Sequence, residues 1–538
     1  MDDVIIVGSG LGGLVSGALL AKRGRSVCVM EQHDVPGGCA TTFRRRHYTF
    51  EVGLHALDGL DEDDLKLRVF DELQVLEHVP FIHLPPAEFF RFEHPDLSLM
   101  VPGRIELARQ VLAEVFPHEA RNLRRFFRTM TVIRRTLNEL FAQARWKVLA
   151  QVPLLPLLYP TLFRHWNVTI GDYLDATFDD EMLKLVLVSN LLYYHDDPRK
   201  LSLYWYCLSQ GSFLSGGTHY VRGGSQVLSD YFAHVIRSHG GQVLVRHDVE
   251  EILVKDGRAT GVRYRQKGRG RAAEVRHART VIANAAPPVV AQDLVKGPEG
   301  EALRRHFDRY ERSCSFLSLY LGLRRRPRDL GNRAFSTVMP GVGVNRIDDM
   351  VREYRSEGFA QKGFEFVDYS QIDHGLTTDE RCIGVASMVD YVDNWRGLSR
   401  ADYCARKDQF AQHVIQSLDR RLPGLAESVE LYEVGTPMTI ERYTRNPGGA
   451  IYGYRQDPRQ TAFFRPGHTC GVADLYFASA WVNPGGGFTG AMLSGWSCAR
   501  VVHERLGASR VWRSFAAGTG RRARSASPDP EAVSDVVL

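Results

Sequence analysis

VIIVGSGLGGLVSGALLAKRGRSVCVME, residues 4–31, decides the fold of this 538-residue chain. Val4 to Val7 is a short apolar run rich in β-branched residues, as a buried parallel strand requires. The turn that follows carries G-x-G-x-x-G at Gly8, Gly10 and Gly13. Leu14 to Arg23 is Ala/Leu-rich and helix-compatible, Gly24 ends that helix, and Ser26 to Met30 forms a second strand closing on Glu31. Each position has a task. Gly8 permits the tight turn, Gly10 lets the backbone approach a pyrophosphate, and Gly13 allows the helix to pack closely on the strand. The helix start, with Leu11 and Gly12, offers free N–H groups and a positive dipole end to phosphates. Glu31 is placed to accept hydrogen bonds from ribose hydroxyls and disfavours a 2′-phosphate there. A Gly-rich turn without a ligand would leave Glu31 unexplained.

The βαβ unit alone does not choose between NAD and FAD. Gly37-Gly38 comes six residues past Glu31, followed by Cys39-Ala40-Thr41-Thr42-Phe43. This resembles the segment that follows the ribose-binding acid in two-dinucleotide-type flavoproteins and lies along the flavin. FAD is therefore the expected cofactor, with Gln32, Gly37, Gly38, Thr41 and Thr42 beside it.

Three later segments resemble the phytoene desaturase, carotenoid isomerase and retinol saturase superfamily. Tyr48-Thr49-Phe50-Glu51-Val52-Gly53-Leu54-His55 is similar to that family's F-D-x-G segment, with Glu51 in place of the usual Asp. His55 is similar to the retinol-saturase branch. Tyr220-Val221-Arg222-Gly223-Gly224-Ser225 leads into an amphipathic helix from Gln226 to Ser238, then strands around Gln242 to Arg246, Val249 to Ile252 and Thr280 to Ala283. The resemblance implies that Val249 lies against the adenine and that Asn284, just past the last strand, belongs to the site. Near the C-terminus, Asp474 to Trp481 precedes Asn483-Pro484-Gly485-Gly486-Gly487-Phe488-Thr489-Gly490-Ala491-Met492. In the family such a turn brings backbone N–H groups to the flavin N1/O2 edge, where reduction places negative charge. Thr489 stands where many relatives have Pro. Gly435-Thr436-Pro437 and Asn446 to Gly453 also resemble the saturase/isomerase branch.

The resemblance implies an α/β architecture. A Rossmann-like FAD-binding domain (1–70, 216–300, 441–505), of the glucose-oxidase/amine-oxidase type, is interleaved with a substrate domain of β-sheet plus helical cap (71–215, 301–440). Residues 105–195 read as mostly helical, 310–395 as strand-rich and 402–421 as helical. The small, charged and Pro/Ser-rich residues 514–538 read as a disordered tail. The chain is too long for a single core.

Composition is that of an ordinary globular protein, 44% hydrophobic and 24% charged, and a net charge of +5 with interspersed signs gives no argument for a nucleic-acid partner. Eight scattered cysteines form no C-x-x-C pair, so no metal site is expected and reduced thiols in a cytoplasmic protein are. Val148 to Phe163 is apolar but interrupted by Pro153, Pro156 and Pro160, which rules out one regular spanning helix. Edged by Arg145, Lys147, Arg164, His165 and Trp166, it reads either as a buried cap lining or as a peripheral membrane contact.

His55 and Glu51 are the candidate catalytic residues; a hydrogen-bonded core histidine and a turn-ordering carboxylate are the plainer alternatives. Tyr220, Tyr204 and Tyr452 are the candidate substrate contacts, with ordinary core packing as the alternative for the aromatic cluster around Tyr193, Tyr194, Trp205 and Tyr206. The expectation is an FAD-dependent oxidoreductase acting on a long lipophilic polyene or isoprenoid, by desaturation, saturation or isomerisation through hydride exchange at N5. A composition rich in Arg, Ala and Gly points to a high-GC bacterial source. There the named alternative is reductive cyclisation of a polyketide polyene such as a polycyclic tetramate macrolactam precursor. A flavin-less lipid carrier resembling the GDP dissociation inhibitors is the rival from another class, opposed by the intact Glu31 and the Gly485–Gly490 turn. No second glycine turn is free for a nicotinamide, the Gly485–Gly490 turn being the one assigned to the flavin edge, so NAD(P)H is expected only as a transient reductant.

Overall fold

The computed structural model describes residues 1–143, 147, 151–268, 272–377 and 380–507. The expected tail at 514–538 and Arg145 lie outside the described residues. Two seven-stranded sheets organise the chain. The first runs in the order Gln242–Leu244, Val27–Met30, Asp2–Val7, Glu274–Ala283, Arg258–Gln266 and His247–Lys255, with Leu475–Phe477 also paired to Glu274–Ala283. Asp2–Val7 sits at its centre, parallel to both neighbours, so its side chains are buried on both faces. Val4 and Ile6 enter the core beneath the helices Leu11–Lys22, Ser225–Ser238 and Gly487–Arg505, while Ile5 and Val7 enter the core on the opposite face.

The second sheet runs Val429–Gly435, Ser315–Leu323, Cys382–Asp390, Phe364–Asp368, Ser336–Met339, Phe90–His94 and Leu97–Val101. Its two faces separate by the strand's period of two. Leu317, Leu319 and Leu321 pack with Phe364, Phe366, Ala386 and Met388 under the helix Arg400–Arg421. Phe316, Ser318 and Tyr320 point the other way, into a cavity shared with the first sheet. Helices Ile105–Val115, Ala120–Ala142, Glu181–Val188 and Leu203–Gly216 form the cap above it, around a core that includes Phe126, Met130, Leu185 and Tyr206. The strands and helices expected at residues 4–30, 105–195, 226–238, 316–323, 383–391 and 402–421 are all present within a few residues of their expected bounds. None of the eight cysteines is in a disulfide.

Candidate FAD and substrate site

The glycine turn is built to be approached closely. Gly8 has φ +96°, a conformation natural to glycine, and a Cβ on Gly12 would stand 2.5 Å from the Ala478 carbonyl oxygen. Asn284 ties the turn to the central strand. Its backbone N–H donates to Val7 O at 2.9 Å, its Oδ1 accepts the Gly10 N–H at 2.8 Å, and its Nδ2 donates to Ala478 O at 2.5 Å. Gly37 N–H donates to Ser9 O at 2.9 Å, which brings the Gly37-Gly38 segment beside the first turn. Glu31, at the end of the second strand, accepts from Ser9 N–H at 2.9 Å, Ser9 Oγ at 2.7 Å and His33 N–H at 2.8 Å. The hydroxyl of Ser9 is a partner that the glycine pattern does not reveal.

One cavity of about 1330 Å³ begins at these residues. That exceeds the roughly 300–1,000 Å³ usual for a single small-molecule site and leaves room for a cofactor and a substrate together. Gly8, Gly10, Leu11, Gly12, Glu31, Gln32, Gly37, Gly38, Thr41, Thr42, Val249, Asn284, Gly487, Phe488, Thr489 and Gly490 all line it. Two helix N-termini, those of Leu11–Lys22 and Gly487–Arg505, open onto it. The donor set fits FAD: a carboxylate for ribose at one end, amide-rich glycine turns along the middle, and a helix start for the flavin edge. Gly13 and Met492 are buried behind the wall, Gly13 against the Gly8 carbonyl and Met492 in the core under the helices. They support the turn and do not face the cavity.

Thr489 Oγ donates to Asp58 Oδ1 at 2.6 Å, so the residue in place of Pro gives the turn a polar tether. Burial would raise the Asp58 carboxyl. The Lys66 charge and the hydroxyls of Thr489 and Ser212 outweigh it and hold Asp58 below its ordinary range. Lys66, wholly buried, also pairs with Asp64.

Glu51 does not reach the cavity. Its oxygens accept from Ser225 N–H and Ser225 Oγ, both at 2.7 Å, and from the N–H groups of Gly53 and Leu54 at 3.2 and 3.0 Å. Burial pushes its carboxyl up, and these four donors pull it partly back. A carboxylate at the start of Ser225–Ser238 fixes the 51–55 turn against that helix. Tyr220 is buried against Tyr369, with ring centroids 5.4 Å apart, and Tyr204 donates its hydroxyl to Leu162 O. Neither lines the cavity. Tyr452 does, and it donates to Leu192 O at 2.8 Å.

His55 lines the cavity, presented by a turn clamped on both sides: Tyr320 donates to Val52 O and Tyr369 to Leu54 O, each at 3.1 Å. Its Nδ1 stands 3.7 Å from Oε2 of Glu365. Glu365 is fully buried, and its Oε1 accepts from Tyr193 and, at 2.5 Å, from Ser336 Oγ. Burial, and then the carboxylate beside it, pushes the Tyr193 hydroxyl well above its ordinary range, so it remains a donor. The distance in sequence hid this cluster, although a carboxylate between two phenylalanines in the strand Phe364–Asp368 is a legible oddity. Tyr194, Trp205, Leu208, Phe213 and Phe316 give this end an aromatic and apolar wall, with Ser209, Ser212, Arg134 and Asn138 also lining the cavity.

Known proteins agree with this architecture. The chain is 28% identical over 521 residues to prolycopene isomerase 1, chloroplastic, of an Oncidium hybrid cultivar, covering 94% of this chain and 84% of that protein. It is 25% identical over 495 residues to the all-trans-retinol 13,14-reductase of Danio rerio, covering 84% and 77%. Among solved structures, cyclohexylamine oxidase from Brevibacterium oxydans IH-35A superposes with a TM-score of 0.60 at 15% identity, covering 94% and 99%, which shows the shared fold. The family profile described as flavin containing amine oxidoreductase matches residues 11–503. With that match over most of its length, and with the carotenoid isomerase and retinol reductase relatives, the chain belongs to the flavin-containing amine oxidoreductase family and is an FAD-dependent oxidoreductase.

Proposed function

We propose that the enzyme acts on a long lipophilic polyene or isoprenoid, exchanging hydride with it at the flavin. One observation carries this: the cavity that starts at Glu31 continues without interruption past Gly486–Gly490 into the aromatic end walled by Tyr193, Tyr194, Trp205, Phe213, Phe316 and Tyr452. Such a wall takes an apolar chain out of water at about 25 cal/mol per Å² of buried apolar surface. The relatives named for prolycopene and for retinol support the same substrate class. Bound FAD supplies the two-electron chemistry. The protein's part is to hold the ribose at Glu31, the pyrophosphate at the Gly8–Gly13 turn, the adenine against Val249 and the flavin edge at Gly487–Gly490. The aromatic wall orients the polyene. A reduced nicotinamide serves as transient reductant.

Substrate enters from an apolar rim. Leu157, Phe163 and Trp166 are 80%, 56% and 45% exposed, while Leu162 between them is buried in the core of the cap. Trp166 meets Phe464, with centroids 6.0 Å apart, and Phe463 meets Phe141, which lines the cavity. Apolar and aromatic side chains edged by Arg164 suit a lipid interface. Among the described residues no helix is long and apolar enough to cross a membrane. The test of the substrate class is anaerobic mixing of holoenzyme with retinol and C40 polyenes. A change of flavin redox state with a matching change in the polyene spectrum supports it; an inert flavin with every polyene refutes it.

A further inference from the structure

We propose, on the strength of the polyene reading above, that His55 is the group that delivers a proton to the substrate carbon and that Glu365 holds it in place. The site would then add two hydrogens across a conjugated system and would not merely isomerise it. Three features of the cavity floor lead there. Ser318, which lines the cavity, Ser387 and Glu365 are direct cross-strand neighbours on the sheet face opposite the apolar cluster of Leu317, Leu319, Phe364, Phe366, Ala386 and Met388, so Glu365 is a carboxylate buried in the layer behind the floor. Its Oε1 is fully engaged by Tyr193 and Ser336, whereas Oε2 is buried and has no hydrogen-bond partner among the described residues. Among the described residues the one group within ion-pair distance of that oxygen is Nδ1 of His55, at 3.7 Å, and His55 lines the cavity. A carboxylate behind Nδ1 leaves Nε2 as the reactive atom, the arrangement by which an acid fixes the orientation and tautomer of a catalytic imidazole.

Ionisable groups in this part of the structure have partners of their own. Glu51 holds Ser225, Asp58 holds Thr489, Tyr369 donates to Leu54 O, and Tyr452 donates to Leu192 O. Tyr193 packs edge-on to the imidazole, centroids 5.9 Å apart, and closes the cluster.

One carbon of the conjugated chain receives a hydride from the reduced flavin, which is oxidised by two electrons. The π pair of that double bond shifts to the far carbon, which takes the proton from Nε2 of protonated His55, leaving neutral imidazole. Solvent returns the proton, and a donor of the reduced-nicotinamide class returns the two electrons.

The test uses holoenzyme, reduced anaerobically and mixed in D2O with all-trans-retinol and, separately, with prolycopene. The native enzyme is expected to reoxidise and to yield a product heavier by two solvent-derived deuterons. His55→Gln is expected to slow this reoxidation by about 100-fold or more, within the 10²- to 10⁴-fold usual for general acid catalysis. Glu365→Gln is expected to slow it at least about tenfold with KM unchanged. Both variants should keep their FAD, and both should bind polyene to the oxidised enzyme, read from the flavin difference spectrum, within about threefold of native affinity. A product of unchanged mass, full-rate reoxidation in His55→Gln, or a loss confined to polyene binding would overturn the proposal. If native flavin exchanges electrons with neither polyene, the underlying substrate reading falls, and the proposal falls with it.

Discussion

At Glu31 three donors converge on two carboxylate oxygens, and Ser9, which supplies two of them, is fully buried. Replacing Glu31 with Ala strands the Ser9 N–H and hydroxyl at about 1–3 kcal/mol each when unsatisfied and removes the ribose acceptor. FAD affinity is expected to fall by roughly tenfold to several hundredfold, measured by flavin titration of apoprotein. His374 offers a pH test at the same scale. Burial, opposed in part by Asp373, lowers its imidazole to about 4, and its Nδ1 accepts the Leu376 N–H at 2.9 Å. Unfolded histidine titrates near 6.5, so below that pH the unfolded chain binds a proton that the folded chain refuses. The stability this group contributes is full above about pH 6.5 and is lost as pH falls toward 4. In His374→Gln, the decline of Tm across that window should be shallower than in the native protein; equal slopes would contradict the assignment.

Among elements, the helices Leu11–Lys22 and Gly487–Arg505 meet through glycine. A Cβ on Gly495 would stand 2.5 Å from the Gly12 carbonyl oxygen. Gly495→Val is therefore expected to lower stability by about 1–3 kcal/mol through overpacking and to weaken FAD binding, because both helix starts face the cavity. Calorimetry and flavin content check the two effects separately. This end of the site was legible in the sequence because strand, glycine turn, helix and acid are contiguous, and each residue's chemistry follows from its place in the order. The Gly487–Gly490 turn was legible by resemblance. The other end was not. Glu365 meets His55 across 310 residues, and Tyr204 and Tyr220 face the core because of helix and strand orientations that only tertiary packing fixes. Glu51 stands out in the sequence, but its partner Ser225 lies 174 positions away, so the bond between them is visible only in the fold.

For the molecule as a whole, the cavity spans two sheets and a cap, and its lining residue Phe141 meets Phe463 of the exposed apolar patch proposed as the entry rim. If that rim meets a lipid surface, a Leu157→Ser/Phe163→Ser/Trp166→Ser variant should lose co-sedimentation with liposomes that the native enzyme shows, while keeping its flavin. Equal sedimentation of the two would remove the rim from the account. The central claim, that the flavin exchanges hydride with a polyene, is tested most directly by the flavin itself. Holoenzyme, oxidised and reduced in separate anaerobic experiments, is mixed with retinol, with C40 polyenes and with simple amines, and the visible flavin bands are followed. At least one polyene is expected to change the flavin redox state with a matching shift in its own spectrum, while amines leave the flavin unchanged. Rapid bleaching by an amine, with every polyene inert, would contradict that claim.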